Sequence, residues 1–589
     1  MKSILVPIVA LAFLSGVHIF LPGYQNDLPA EPYRFNPSAV QQNMCGPLGA
    51  NRGLFFKPGL AHLLSSAAQA ADTIEGAVPL LKGLDVRAFP ISSSNNGAGA
   101  YFQQGFALLY GFNHWEAIRA FKMAQTLDPN CAICYWGEGI ALGPNINAPM
   151  DLASSQRAAN AIATAVSLAA HADERERALI MASTKRYNAA AGTERAGLDQ
   201  AYADAMAEVA AKYPEDQDIA VLYAEALMDT SPWDYWERDF TTPKPHIKTA
   251  LDQIEKVLQA NANHYGAIHL YIHLYEASAM ADKAAPYADK LTTLVPGSGH
   301  LVHMPGHIYF RIGRYLDSLT TNIKAVAVDK AYLEAVEGST LYRYGYYPHN
   351  VHFVLVSAQM AGDAKIALEY ATTLDALIPM EVLAEAEWIA PIKAAPYFVF
   401  AQFGDEASVA ALPDPGDTVP YLKAMWHYAR GSVMAEAGNA VSEAEVSAIE
   451  ALRGTKAIQN AGIPADSILA IAAKTIQAKY LMSQGQNMAA ADLLRESIAL
   501  QTSLPYTEPP FWYYAIEQSL GAALYQAGDY ADAAAAFEAS LVRHPNSAWS
   551  LYALMKTYEK QGRNAEAAAM AELYRKASKI GGEPSFIQL

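Results

Sequence analysis

Histidines are concentrated in one part of this chain. Eight of the 15 histidines fall in three neighbouring segments, and imidazole is the side chain that most often binds transition metals in proteins. Most neighbours within a segment are three or four residues apart, a spacing that puts side chains on one face of a helix. The eight are His264, His269, His273, His300, His303, His307, His349 and His352.

The spacing of these histidines predicts a transition-metal site. A pair of imidazoles one helical turn apart can hold one ion, and neighbouring helices can bring several pairs together. Six imidazoles suffice for one saturated ion or for two ions with three ligands each. The predicted ligands are His269, His273, His303, His307, His349 and His352.

The types of ligand indicate which metal to expect. The histidine stripe contains no cysteine and few aspartates, which favours copper, zinc or iron over calcium or magnesium. Nitrogen ligands and an exported location together favour copper. The chain has no HExxH motif, so the standard zinc-protease arrangement is excluded.

Further residues are expected to support or cover this site. Glu276 or the hydroxyl of Tyr309 could complete a ligand shell or orient the ligands, and His300 could have a capping or packing role. Insertions at 230–246 and 333–348 carry aromatic side chains that we interpret as lids, although they could be ordinary long loops. Two more insertions are expected at 143–182 and 405–420. The lid residues are Trp233, Trp236 and Tyr346.

An internal repeat supplies the helices that these residues need. The segments 101–129 and 517–545 share a pattern of small, aromatic and proline positions, and glycines mark the turn between paired helices. The first reads Tyr101, Gly105, Leu108, Ala117, Phe121, Ala124 and Pro129, and the second has Gly521, Leu524, Ala533, Phe537 and Pro545.

This pattern resembles the tetratricopeptide (TPR) repeat, and residues 134–147 and 303–309 resemble exported bacterial TPR proteins. The resemblance implies an all-α solenoid of helical hairpins, wound as a right-handed superhelix and carrying loop insertions. It also implies that the first helix of each hairpin lines a concave groove. The histidines recur at equivalent positions of successive first helices, so we expect them in that groove. Repeats with the histidine-rich groove are predicted over 98–400, and further TPR-like repeats over 401–589.

The N-terminus indicates export. Lys2 precedes an apolar run to Phe20, so residues 1–22 are predicted to be a signal peptide or an N-terminal anchor, and 23–97 a poorly ordered linker or processed segment. A start at Met44 with cleavage after Ala70 is the alternative. Either reading predicts a periplasmic or secreted protein, with membrane contact only through an anchor. The net charge of −17 and the lack of a basic run argue against nucleic-acid binding.

Two other pairs of residues each have more than one possible role. Cys131 and Cys134 could form a disulfide, pack as free thiols, or bind a metal. Glu225 and Asp229 could act as a base or bind a cation.

Two classes of function therefore compete. One is an exported metalloprotein, with copper-dependent oxidase activity as a possibility. The other is a non-enzymatic TPR scaffold that binds a peptide, a protein or a small molecule in its groove.

Overall fold

The computed structural model describes residues 78–84, 89–187, 194–336 and 340–588. Within these ranges the protein has no β-strand, and its only β-type pairings are isolated bridges at Asn145–Ala148 and Trp236–Pro243. The α-helices are α1 (Asn96–Tyr110), α2 (His114–Leu127), α3 (Ala132–Ala141), α4 (Leu152–Ser167), α5 (Glu174–Ser183), α6 (Arg195–Lys212), α7 (Gln217–Asp229), α8 (Pro245–Ala260), α9 (Tyr265–Glu276), α10 (Ala285–Leu294), α11 (Gly299–His303), α12 (Pro305–Arg311), α13 (Tyr315–Ala335), α14 (Tyr347–Ala361), α15 (Ala364–Leu377), α16 (Met380–Glu385), α17 (Ala390–Phe403), α18 (Glu406–Ala410), α19 (Pro420–Glu436), α20 (Val441–Leu452), α21 (Lys456–Asn460), α22 (Ala465–Ser483), α23 (Asn487–Thr502), α24 (Ile516–Ala527), α25 (Tyr530–Arg543), α26 (Ala548–Lys560) and α27 (Asn564–Ala577).

Most helices pack against the next one in the chain, which builds a solenoid of hairpins and confirms the predicted all-α class. Two kinds of residue set the hairpin ends. Gly362 and Gly528 take a left-handed conformation, with φ of 76° and 83°, at the turns between paired helices. Prolines follow two residues after the second helices, which end at Leu127, Leu294, Leu377 and Arg543.

Close contacts between a glycine and an aromatic ring hold the repeat hairpins together. A Cβ on Gly105 would lie 2.8 Å from the ring of Phe121, and one on Gly521 would lie 2.6 Å from the ring of Phe537. Both phenylalanines are completely buried. The glycine therefore lets the two helices of each hairpin approach closely enough to bury the ring between them.

Buried apolar side chains form two large clusters. One extends from Leu84 to Tyr309 and the other from Phe310 to Ala577. Helix α17 runs through residue 400, where the sequence analysis placed the boundary between two groups of repeats. That boundary stays a sequence prediction. None of the described helices is both long enough and apolar enough to cross a bilayer.

Residues near the end of the expected linker are hydrogen-bonded to helix α1. The backbone N–H of Leu81 donates to Oε1 of Gln104 at 2.6 Å, and Gln104 Nε2 donates to the carbonyl of Pro79 at 3.0 Å. Phe89 is buried, and α1 begins at Asn96. The assignment of 23–97 as a linker, poorly ordered or processed segment stays a sequence prediction. The predicted signal peptide or anchor, and the alternative start and cleavage site, lie outside the described residues.

Three of the predicted insertions contain helices. The segment 143–182 holds α4 and most of α5, 333–348 ends in a π-helical turn at Tyr342–Tyr346 that leads into α14, and 405–420 includes α18. Cys131 and Cys134 form a disulfide where α2 leads into α3.

The C-terminal repeats lie against the histidine-bearing helices. Trp549 Nε1 donates to the carbonyl of Gln359 at 2.8 Å, and the N–H of Lys579 donates to the carbonyl of Ala361 at 2.7 Å. The segment 503–515 between α23 and α24 also reaches this region, because Tyr506 Oη lies 3.0 Å from the carbonyl oxygen of Glu276. Residues far apart in the chain therefore meet next to the histidines.

Candidate metal centre

Three helical stretches position the histidines. Helix α9 carries His269 and His273, the broken pair α11–α12 carries His300, His303 and His307, and α14 carries His349 and His352. The break follows from Pro305, which has no N–H to continue the hydrogen-bond ladder of α11.

Cluster I consists of His269, His273 and His300. Nε2 of His269 lies 3.0 Å from Nε2 of His273 and 3.2 Å from Nε2 of His300. All three side chains are buried, and together they offer ligand atoms within 4.8 Å of one another. Metal–nitrogen bonds of about 2.0–2.1 Å at tetrahedral angles put ligand nitrogens about 3.3 Å apart, so these nitrogens stand close to a three-ligand arrangement.

Cluster II consists of His303, His307 and His349. Nε2 of His307 lies 2.7 Å from Nε2 of His303 and 3.4 Å from Nε2 of His349. This group also offers ligand atoms within 4.8 Å of one another. The ring centroids of His273 and His307 are 6.3 Å apart, so the two clusters are neighbours.

Hydrogen bonds on the far side of the rings fix which nitrogen faces the cluster. In cluster I, Nδ1 of His269 donates to the carbonyl of Tyr110 at 2.7 Å, and Nδ1 of His273 donates to Oε1 of Glu276 at 2.6 Å. A carbonyl and a carboxylate only accept, so the ring proton is on Nδ1 and Nε2 keeps its lone pair in the neutral ring. Two such lone pairs 3.0 Å apart repel each other unless a cation lies between them.

The Nδ1 atoms of His303 and His307 in cluster II are hydrogen-bonded in the same way. Nδ1 of His303 donates to Oδ1 of Asn322 at 2.5 Å, and Asn322 is oriented by its Nδ2 donating to the carbonyl of Ser318 at 2.8 Å. Nδ1 of His307 donates to Oε2 of Glu276 at 2.5 Å.

Glu276 connects the two clusters. One of its carboxylate oxygens accepts from His273 in cluster I, and the other accepts from His307 in cluster II. The side chain is completely buried. Because the two oxygens belong to one planar group, the carboxylate sets the orientation of both rings at once.

Burial and these contacts decide the ionisation of the site. Desolvation lowers the pKa of His269, His300, His303 and His349 well below that of free histidine, which favours the neutral form that binds metals. Burial alone would raise the pKa of Glu276, but the charges of His307 and His273 bring it down to about 2. Burial would lower the pKa of His307, but Glu276 outweighs it and raises that pKa.

The structure places two histidines differently from the sequence prediction of the ligands. His352 lies outside both clusters, where its Nε2 is 2.7 Å from Oη of Tyr513. His300, expected only to cap or pack, belongs to cluster I. His264 is the residue that caps α9, because its Nδ1 accepts from the N–H of Ala267 at 3.2 Å.

Some of the predicted supporting residues contact the clusters, and others are hydrogen-bonded elsewhere. Trp233 contacts His273 edge to face at 5.5 Å between centroids, and Tyr346 contacts His300 in the same way at 5.0 Å. Trp236 instead donates its Nε1 to the carbonyl of Leu274, and Tyr309 donates its hydroxyl to Asp289. Glu276 supports both clusters, whereas Tyr309 is bonded away from them.

Sequence reasoning missed several residues of the site. Phe112, in a left-handed conformation with φ of 53°, stacks on His273 and His300 at 5.6 Å. Tyr110 and Asn322 supply hydrogen-bond acceptors, and 503–515 adds an outer wall. The proline- and aromatic-rich run in 503–515, which interrupts the repeat, was the one signal that could have drawn attention to this segment.

A cavity of about 1200 Å³, including the solvent at its mouth, adjoins the clusters. Its wall contains two histidines of each cluster and much of the segment 503–515. It also contains Trp233 and Tyr346, the two insertion residues whose rings contact cluster I. The lining side chains include His273, His300, His307, His349, Trp233, Tyr346, Tyr506, Glu508, Pro509 and Phe511.

Glu225 and Asp229 belong to a different environment. Arg186 donates to Asp229 and to Asp199 at 2.8 Å each, in a buried ion-pair network. Burial raises the pKa of Glu225 to about 8 and that of Asp229 to about 7. Because Arg186 already pairs with Asp229, the group has the character of a structural network.

Comparison with known proteins identifies the repeat. The family model described as tetratricopeptide repeat matches residues 524–578. The protein carries a TPR repeat. The match confirms the predicted TPR resemblance in that part of the chain. No curated protein matches the chain.

Solved structures give only distant likenesses. The human IFIT1 dimer with m7Gppp-AAAA has a TM-score of 0.30 at 11% identity, covering 91% of this chain and 98% of that one. The structure of Naa15/Naa10 bound to HypK-THB has a TM-score of 0.20 at 12% identity, covering 88% and 75%. Likenesses at this level carry no argument about the ligand or partner of this protein.

Proposed function

We propose that this protein binds two transition-metal ions, with copper favoured over zinc and iron, one in each three-histidine cluster. The observation that carries the proposal is the pair His269 and His273. Each ring donates its Nδ1 proton to an acceptor, and the bare Nε2 atoms lie 3.0 Å apart in a buried site. Such an arrangement is repulsive without a cation, and a metal ion is the cation that suits three converging imidazoles.

The chemistry of the ligands supports copper. Both clusters consist of imidazole nitrogens, and Cu(II) stands highest in the affinity order for divalent first-row metals. Glu276 would serve both ions, because each of its oxygens orients a ligand of a different cluster.

We further propose an oxidoreductase that uses dioxygen, as the reaction class that the site suits best. Three protein ligands leave a coordination position for a small molecule, and the ligands His273, His300, His307 and His349 also line the adjoining cavity. The metal pair would supply the redox chemistry. The protein would orient the ligands through Glu276, Asn322 and the Tyr110 carbonyl, and exclude bulk water through the aromatic walls.

An exported location is part of the proposal. The apolar N-terminal run favours it, and a Cys131–Cys134 disulfide is typical of oxidising compartments. A periplasmic or secreted protein would also meet copper outside the cytosol.

The test is metal analysis of untagged protein purified after expression with copper, zinc and iron supplied. We expect two equivalents in the wild type. His269→Gln with His273→Gln should remove the ion of cluster I, and His303→Gln with His307→Gln that of cluster II. His352→Gln is the matched control, because His352 is a buried histidine on the same helix as His349 but outside both clusters. A metal-free wild type, or equal loss in the control, would contradict the proposal.

The second candidate is a non-enzymatic scaffold that binds a peptide or protein. The TPR match over 524–578 favours it, since TPR domains commonly bind proteins. In that case the two double variants would lose a protein partner without any change in metal content.

A further inference from the structure

We infer that the cavity beside the two clusters binds a small, flat, mainly apolar molecule that carries a hydroxyl group, a ligand of the phenol class. The inference rests on the proposed function in one respect, since the bound molecule is taken to be the substrate of the proposed oxidoreductase. The binding itself is argued from the walls of the cavity.

Flat and rigid surfaces make up most of these walls. Indole and phenol rings come from separate segments between residues 233 and 513, and three prolines limit the movement of the backbone near them. Cavities with aromatic walls are typical of small-molecule sites, and planar ligands stack well on such walls. The walls include Trp233, Tyr346, Trp388, Phe398, Tyr421, Phe511, Pro391, Pro509 and Pro510.

A few buried polar atoms interrupt this apolar lining. Oδ1 of Asn147, Nε1 of Trp233, Nδ1 of His352 and Oε2 of Glu508 are all buried without a hydrogen-bond partner among the described residues. Each belongs to a residue of the cavity wall. Buried polar atoms are normally hydrogen-bonded, so four unpaired ones around one cavity indicate a ligand with polar substituents.

The mixture of donors and acceptors points to a hydroxyl group. Burial raises the pKa of Glu508 to about 7. In its ionised form one oxygen accepts from Tyr506 and the free oxygen can only accept, as can the amide oxygen of Asn147. Trp233 Nε1 only donates. A hydroxyl both donates and accepts, whereas an ammonium cannot accept from Trp233 and a carboxylate cannot donate to Glu508.

The charges of the wall oppose an anionic ligand. Among the residues that line the cavity there is no lysine or arginine, and Glu508 is one of them. A carboxylate or a phosphate would therefore find no bidentate donor and would meet the carboxylate of Glu508. An uncharged hydroxyl avoids that desolvation penalty.

The cavity would hold such a molecule next to the metal ligands. Trp233 and Tyr346 line it, and their rings contact His273 and His300 in cluster I. His307 and His349 of cluster II lie in the same wall. A ring held between these side chains would be within reach of both clusters.

Equilibrium dialysis of the full chain with three matched probes tests this inference. The probes are 2-naphthol, naphthalene and 2-naphthoate, each applied to metal-free and metal-loaded protein. We expect 2-naphthol to bind at least tenfold more tightly than naphthalene, and 2-naphthoate at least tenfold more weakly than 2-naphthol, in the metal-free protein. Equal binding of 2-naphthol and naphthalene, or no binding of either, would overturn the inference.

Two variants locate the binding. Glu508→Gln should reduce the preference for 2-naphthol over 2-naphthoate by at least fivefold, because an amide can donate to a carboxylate. Ile392→Trp should obstruct part of the cavity and weaken binding of 2-naphthol at least tenfold without changing metal content. Leu80→Trp is the control, since it adds the same indole at an exposed position. An unchanged preference in Glu508→Gln would also overturn the inference, even if Ile392→Trp does not fold.

The outcomes separate this inference from the proposed function. Protein that takes up two metal ions but does not discriminate among the probes retains the proposed function and loses the inference. Protein that binds 2-naphthol selectively but takes up no metal retains the ligand site and loses the metal proposal.

Discussion

The hairpin that contains Gly306 and the hairpin that contains Gly521 have the same helix–helix contact at a glycine, but a different residue packs against that glycine in each. In the C-terminal hairpin, Phe537 lies 16 residues after Gly521 and packs its ring on the glycine. In the histidine-bearing hairpin, the residue 16 positions after Gly306 is Asn322, and a Cβ on Gly306 would lie 2.5 Å from Asn322 Nδ2.

The consequence of this exchange is functional. Asn322 keeps the close contact with the glycine, but its Oδ1 accepts the Nδ1 proton of His303. A position that buries an apolar ring in one repeat therefore orients a candidate metal ligand in another. The comparison teaches that one repeat can replace a buried aromatic ring by a polar side chain where the adjacent repeats supply enough apolar contact.

The largest effect is expected from Phe537→Ala. Removing a completely buried ring leaves a cavity against Gly521 and should destabilise the C-terminal repeats by about 3–5 kcal/mol. Denaturant unfolding measures the loss. Metal content should stay at the wild-type value, since the ring contacts neither cluster. A loss of metal from the folded variant would show that the two regions are not separable.

Glu276→Gln should have the next largest effect. An amide has one acceptor oxygen, so it cannot accept from both His273 and His307, and metal affinity should fall about 10–100-fold in at least one cluster. Competition with a chelator measures this affinity. The matched control is Glu517→Gln, a buried carboxylate of the C-terminal repeat that pairs with Arg543. Equal affinities in the two variants would remove the connecting role assigned to Glu276.

A smaller effect is expected at Asn322. Asn322→Leu removes the acceptor for His303 Nδ1 and should weaken cluster II about tenfold while sparing cluster I. Asn322→Asp retains the acceptor and should keep most of the affinity. The same chelator titration distinguishes them. If both variants bind as the wild type does, Asn322 has only a packing role, like Phe537.

The smallest effect concerns His544, a buried histidine of the C-terminal region that belongs to neither cluster. Burial lowers its pKa to about 3, below the value near 6.5 expected in the unfolded chain. The unfolded state therefore takes up the proton first, and stability is lost as the pH falls below about 6.5.

For His544 this loss is about 1 kcal/mol between pH 7 and pH 5.5. His544→Gln should remove that part of the pH dependence in thermal unfolding measured at the two pH values. An unchanged difference between the two pH values would show that His544 does not contribute to it.

The sequence by itself determined the all-α repeat and the stripe of histidines. Helix periodicity, proline stops and glycine turns are local properties, so the hairpin boundaries could be predicted from residues such as Pro129 and Gly528. The spacing of His269, His273, His303 and His307 also followed from helix geometry, and the structure brings these four side chains together in pairs.

Only the tertiary structure decided which imidazoles share a cluster. His300 joins cluster I and His352 lies outside both clusters, because the groups that surround each histidine depend on packing between helices. The Tyr110 carbonyl and the wall formed by 503–515 come from distant parts of the chain. Their positions depend on long-range contacts, which repeat periodicity does not encode.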